Sequence, residues 1–153
     1  MTPPTPIPPL AVRRSAWIDA TAERVWQEFE TFERFNAWFG IGHDLAVYEP
    51  RVGGRLEFVS DPDRYGGDIL VFDPANELTF EDGYVPRRGD HPVLLITYRL
   101  SPHLGGTHVE FFVHGFEQMG AAGPAMHQGL ELGWTTLQLR RLQDIVEGGA
   151  TRA

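Results

Sequence analysis

Residues 10–18, LAVRRSAWI, are rich in β-formers and predict a first strand, although Arg13 and Arg14 interrupt its alternation. The period then turns helical. Thr21 is placed to cap a helix whose Ala22, Val25, Trp26 and Phe29 recur at i, i+3, i+4 and i+7 and so share one face. In TFERFNAWFG, Phe32, Phe35, Trp38 and Phe39 predict a second short helix that Gly40 ends. Six aromatics within fourteen residues are too many for a surface, so most belong to a core. Those nearest Gly40 are placed to line a pocket wall.

From residue 45 the period is that of strands. LAVYEP and RLEFV flank Arg51-Val52-Gly53-Gly54, where paired glycines suit a tight hairpin turn. Further strands are predicted at residues 68–72, 77–80 with an extension to 84, 93–100 and 107–114, separated by DPDRYGG, DPAN, VPRRGDHP and SPHLGG. Connections this short favour antiparallel neighbours, because a parallel crossover needs a dozen or more residues. Leu94, Ile96, Tyr98 and Leu100 share one face opposite Thr97 and Arg99, while Val109, Phe111 and Val113 face away from His108, Glu110, Phe112 and His114. One side of the sheet is therefore apolar, and Phe112 breaks the polar pattern of the other.

EQMGAAG leads into Pro124, a good first helical residue, and the pattern predicts one helix over residues 124–147 that Gly148-Gly149 ends. At about 1.5 Å per residue it would cross a whole sheet. It carries two apolar faces: Leu132, Leu139, Leu142 and Val146 in one sector, Met126, Leu130, Trp134 and Leu137 in another. One face suffices to cover a sheet, so the second implies a cavity, another helix or another subunit.

Composition narrows the chemistry. A chain of 153 residues predicts a single domain over residues 10–148 with a sizeable core, flanked by a flexible proline-rich tail (1–9) and a flexible C-terminus (149–153). There is no cysteine and no lysine, which removes thiolate nucleophiles, disulfides, thiolate zinc sites and lysine Schiff bases. The formal charge of −8 argues against nucleic acid or an anionic membrane surface as partner. MTPPTPIPPL has neither the apolar run of a signal peptide nor that of a membrane span, which predicts a cytoplasmic protein.

The order of elements, a strand, two short helices, a meander of strands and a terminal helix, resembles the helix-grip fold of the START-like, Bet v allergen-like (SRPBCC) superfamily. VYEPRVGGRLEF (47–58), GGDILVFDPANELTF (66–80), GGTHVEFF (105–112) and Gly133-Trp134 are similar to motifs of the branch named for the Aha-type activator of the heat-shock chaperone ATPase. The likeness extends from about residue 12 to 147. It departs at Val113-His114, where many members carry a histidine followed by a small residue, and at Asp82, in a stretch that is often aromatic. The resemblance implies an α+β domain in which a curved antiparallel sheet of six to seven strands wraps around a long C-terminal helix, with a cavity between them.

For such a cavity the candidate ligand-binding residues are Trp38, Phe39, Phe58, Phe80, Tyr98, Phe111, Met126, Leu130 and Trp134, the alternative being that these side chains fill the core. Tyr65, Tyr84, His114, His127 and Glu131 are polar candidates near its mouth. His127 and Glu131, at i and i+4, read as a solvated hydrogen-bonded pair, since no HExxH pattern accompanies them. Arg51, Arg55, Arg87 and Arg88 read as surface or salt-bridging arginines. No serine sits in a nucleophile elbow and no phosphate loop is present, so no catalytic residue, metal or cofactor is assigned. The leading expectation is a carrier or sensor of a hydrophobic small molecule. The alternatives are an enzyme like the polyketide aromatase/cyclases of the superfamily, with Tyr98, His114 and Asp82 as its polar groups, and a protein-binding module or homodimer that uses the second helix face.

Overall fold

Every second residue of the first strand faces the core, and the strand is closed at both ends by fully buried Val12 and Ile18. The computed structural model describes residues 5–87 and 92–148, Arg87 by its backbone alone. Arg88, the side chain of Arg87, and the C-terminal residues 149–153 thus lie outside the described residues. The elements are β1 (Val12–Ile18), α1 (Ala22–Trp26) with a 3₁₀ turn at Gln27–Phe29, α2 (Phe32–Phe39), β2 (Asp44–Tyr48), β3 (Arg55–Ser60), β4 (Asp63–Asp73), β5 (Glu77–Tyr84), β6 (Leu94–His103), β7 (Gly106–His114), α3 (Gly123–Gly133) and α4 (Leu137–Gly148). The seven strands form one antiparallel sheet in the order β1-β7-β6-β5-β4-β3-β2. This is the α+β helix-grip architecture that the sequence predicts.

Local signals account for the short helices. Thr21 Oγ1 accepts the Arg24 N–H at 3.1 Å, and Thr31 Oγ1 caps α2 in the same way through Arg34. Ala22, Val25, Trp26 and Phe29 are all buried, as their spacing requires. Three of the four aromatics of α2 are fully buried and Phe32 is exposed. The apolar face of the sheet is also as its alternation predicts, with Leu94, Ile96, Tyr98, Leu100, Val109, Phe111 and Val113 all buried.

Three local features differ from the sequence pattern. DPDRYGG is not a loop: the chain turns at Asp61-Pro62, and Asp63–Gly67 extend β4 in register with β3. Phe112 is buried on the outer face, under the guanidinium groups of Arg13 and Arg99 at 5.5 and 5.7 Å from its ring centroid. The terminal helix is not continuous. Trp134 adopts an extended conformation (φ −95°, ψ 112°), so α3 stops at Gly133 and α4 restarts at Leu137, whose N–H is accepted by Thr135 Oγ1.

The break changes which residues pack. Leu139 and Leu142 are buried, but Leu132, from the same predicted sector, is 84% exposed, and Leu137 is 52% exposed. A break inside a protein leaves carbonyls without helical partners. Here Arg14 supplies them: projecting from the inner face of β1, it donates to Glu131 O at 2.8 Å and Trp134 O at 3.0 Å and pairs with the Glu131 carboxylate at 3.3 Å. The residue that blurred the alternation of β1 is the C-cap of α3.

Candidate functional site

Two neighbouring cavities open between the inner face of the sheet and α3. The larger, about 850 Å³, lies over the ends of β4 and β5 and is roofed by Met119, Met126, Gly129 and Leu130. The smaller, about 420 Å³, lies beside the helix break and is lined by His43, Phe58, Trp134 and Gln138 among others. Tyr65, Asp82 and Leu130 belong to both.

Glycines recur in the walls of the larger cavity. Gly66 on β4 faces Gly83 on β5, and a Cβ on Gly66 would stand 2.0 Å from Leu56 O, with the backbone at a positive φ of 139°. A Cβ on Gly129 of α3 would meet nothing within 4 Å. Gly66 thus permits the close approach of β3 to β4, and Gly129 leaves open space on the α3 side.

Of the nine residues predicted for the pocket, Phe58, Met126, Leu130 and Trp134 line a cavity. Trp38, Phe39, Phe80, Tyr98 and Phe111 lie in the fully or almost fully buried core beneath. They form a continuous aromatic cluster: Tyr98 sits 5.2 Å from Trp38 and 5.1 Å from Phe111, and Phe111 is 5.2 Å from Trp134. Tyr48, whose hydroxyl donates to Phe29 O, stacks on Phe35 in the same cluster.

The polar groups inside the cluster are ordered by one amide. Tyr98 donates its hydroxyl to Gln138 Oε1 at 2.9 Å, and Gln138 Nε2 donates to Phe39 O at 2.7 Å. The same nitrogen stands 3.4 Å from His43 Nε2, which can accept its second N–H only while that ring nitrogen is unprotonated. Burial among Phe39, Phe58 and Trp134 acts in the same sense and lowers the His43 pKa to about 4, against the smaller opposing effect of Asp44. His43 is therefore a neutral wall residue. Neither His43 nor Gln138 stands out in the sequence, since one lies in a loop and the other is a polar position on a helix.

Asp82 is the acidic group of the site. It shares the inward face of β5 with Leu78 and Phe80, and what its exposed portion opens onto is the cavity. The surrounding protein desolvates the carboxylate and raises its pKa to about 7. Tyr65 beside it is raised as well, by its own desolvation first and then by the charges of Asp63 and Asp82. His114 lies elsewhere: its Nε2 is 2.9 Å from Thr97 Oγ1 on the outer face, where Thr97 also meets Thr79. Tyr98, His114 and Asp82 therefore do not surround one reacting space.

The other predicted polar residues serve the scaffold. His127 Nε2 meets Ala11 O at 2.9 Å and Glu131 Oε1 at 3.3 Å, which ties α3 to the start of β1. Arg55 bridges Glu57 and Asp68, and Arg51 stands 4.0 Å from Glu49. Tyr84 lines the larger cavity, with its ring 5.8 Å from that of Tyr65. Among the described residues no group of histidines and carboxylates has the arrangement of a metal site, and no helix is long and apolar enough to cross a membrane.

Solved structures with this fold include protein MLL2253 from Mesorhizobium loti, 19% identical, with a TM-score of 0.68 over 90% of this chain and 96% of that one. Protein Ms6760 from Mycobacterium smegmatis is 22% identical, with a TM-score of 0.68 over 94% and 92%. The Aha1 dimer from Colwellia psychrerythraea, a solution structure, is 16% identical, with a TM-score of 0.63 over 90% and 96%. At these identities the likeness is one of fold alone. Comparison with curated proteins finds no match. The family model described as Activator of Hsp90 ATPase homolog 1-like protein, in contrast, matches residues 19–147, from the end of β1 through α4. The chain belongs to the Activator of Hsp90 ATPase homolog 1-like protein family.

Proposed function

We propose that this protein binds a hydrophobic small molecule between the sheet and α3, as a carrier or sensor. The observation that carries the reading is the larger cavity. At about 850 Å³ it falls within the few hundred to about 1,000 Å³ typical of small-molecule sites, and it is walled by methionine, leucine, aromatic rings and bare glycine backbone. Dispersal of Tyr98, His114 and Asp82 over the core, the outer face and the cavity favours binding over acid-base catalysis in this site.

The neutral dye N-phenyl-1-naphthylamine tests this directly, and Trp134 in the wall of the smaller cavity supplies a second optical signal. Saturable one-to-one binding is expected, weakened at least about tenfold in Gly129→Phe. A side chain at that position enters open space and replaces a helix-destabilising glycine, so the variant should fold. Dye binding that is absent, or unchanged by Gly129→Phe, would reject the cavity as the site.

A further inference from the structure

Among the described residues, four charged side chains line the larger cavity, and three of them are engaged. Arg55 is held by Glu57 at 2.7 Å and by Asp68 at 3.1 Å, and Glu81 accepts the Asp68 backbone N–H at 2.9 Å. Asp82 has no hydrogen-bond or ion-pair partner among the described residues, and it stands where the two cavities meet. We propose that the ligand is an amphiphilic amine whose apolar parts occupy the two cavities and whose ammonium group sits against Asp82. This specification rests on the cavity being the binding site.

A carboxylate removed from water without a counter-ion is costly, and a ligand that brings the counter-ion relieves that cost. A carboxylate ligand would add a second negative charge, and a neutral one would leave the first unanswered. The neighbouring rings fit the same chemistry, since Tyr65 lies 6.0 Å from Phe58 and 5.8 Å from Tyr84, offering aromatic faces beside the acid. Among the described residues, the groups facing Asp82 do not provide an internal cation. β3 brings Arg55, already paired; β4 brings Tyr65, hydrogen-bonded to Asp63; β5 itself brings Glu81 and Tyr84. The loop before β2 brings neutral His43, and α3 with the segment before it brings Leu130, Met126, Met119 and Gln118. The formal charge of −8 also draws cations to the protein.

Displacement of the neutral dye by 6-phenylhexylamine, 6-phenylhexanol and 6-phenylhexanoate isolates the charge, because the three share one apolar body. At pH 8 the amine should displace the dye at a concentration at least about tenfold below the alcohol, with the carboxylate weakest. In Asp82→Asn the amine should fall to the level of the alcohol measured in the same variant. In the unaltered protein a proton on Asp82 competes with the ammonium, so with a carboxyl titrating near 7 the amine should weaken toward the level of the alcohol, by up to about 30-fold, between pH 8 and 5.5. His43, which titrates near 4, adds nothing in that window. An alcohol equal to the amine at pH 8, or an amine preference that survives Asp82→Asn or ignores pH, would overturn the amine assignment and leave the cavity reading standing. Absence of dye binding would overturn both.

Discussion

At the scale of single residues, burial displaces His43 and Asp82 of the cavity walls in opposite directions, and their effects on stability have opposite signs. His43 has a folded pKa of about 4, below its unfolded value, so its contribution is complete above about pH 6.5 and is lost as the pH falls toward 4. Asp82 has a folded pKa of about 7, above its unfolded value, so the folded state binds the extra proton and stability falls as the pH rises from about 4 to 7. Over much of the acid range the two slopes oppose each other in the intact protein. Asp82→Asn removes one of them without altering the other. The variant should exceed the unaltered protein in urea-unfolding stability by on the order of 2 kcal/mol at pH 8, the full shift being discounted because the side chain is partly open, and the gap should close toward pH 4. A gap that is constant with pH would mean that Asp82 is not desolvated as its surroundings require.

At the scale of elements, the broken C-terminal helix is held by a residue from the other end of the chain. Arg14 satisfies the carbonyls of Glu131 and Trp134, which would otherwise remain unpaired at the end of α3, and its positive charge suits a helix C-terminus. Arg14→Ala should therefore cost about 2 kcal/mol, read as a lowered unfolding midpoint, and should loosen α3, read as faster amide exchange over residues 129–134. Arg14→Lys should recover only part of this, because an ammonium cannot span both carbonyls as the guanidinium fork does. If Lys restored the full stability, charge alone and not the cap would be responsible. This break also marks the limit of what the sequence shows. Alternation located the sheet, and Thr21 with its four periodic apolar partners located α1, because those signals are local. The break depends on a contact 117 residues away in sequence, between Arg14 and Glu131, which no local period encodes. His43 and Gln138 escape for a related reason: their roles come from the aromatic rings and the Tyr98 hydroxyl that the fold gathers around them. Of the nine predicted pocket residues, the five that lie in the core differ from the four in the walls by depth beneath the cavity, and side-chain alternation carries no measure of depth.

At the scale of the whole molecule, the two faces of the sheet are covered by different means. Helices cover the inner face, while residues 5–9 run beside a patch of the outer face around Phe112. The arginines that stand over that ring also grip the N-terminal segment: Arg99 Nη2 donates to Thr5 O at 2.6 Å and Arg13 Nη2 to Pro8 O at 2.8 Å. A proline-rich segment suits this, since an extended chain without internal hydrogen bonds leaves its carbonyls free to accept. The arginines therefore link the chain's first described residues to β1, β6 and β7 at once. Deleting residues 1–9 should remove these acceptors, leaving Arg99 held by Glu77 at 2.9 Å and both guanidinium groups less firmly fixed over Phe112, at a cost of about 1 kcal/mol in urea-unfolding stability. Dye binding in the inner cavities should be unchanged, because the sheet separates them from this patch. An unfolding midpoint identical to that of the full chain would show that the segment lies on the sheet without stabilising it, and a loss of dye binding would show that the two faces are coupled through β6 and β7.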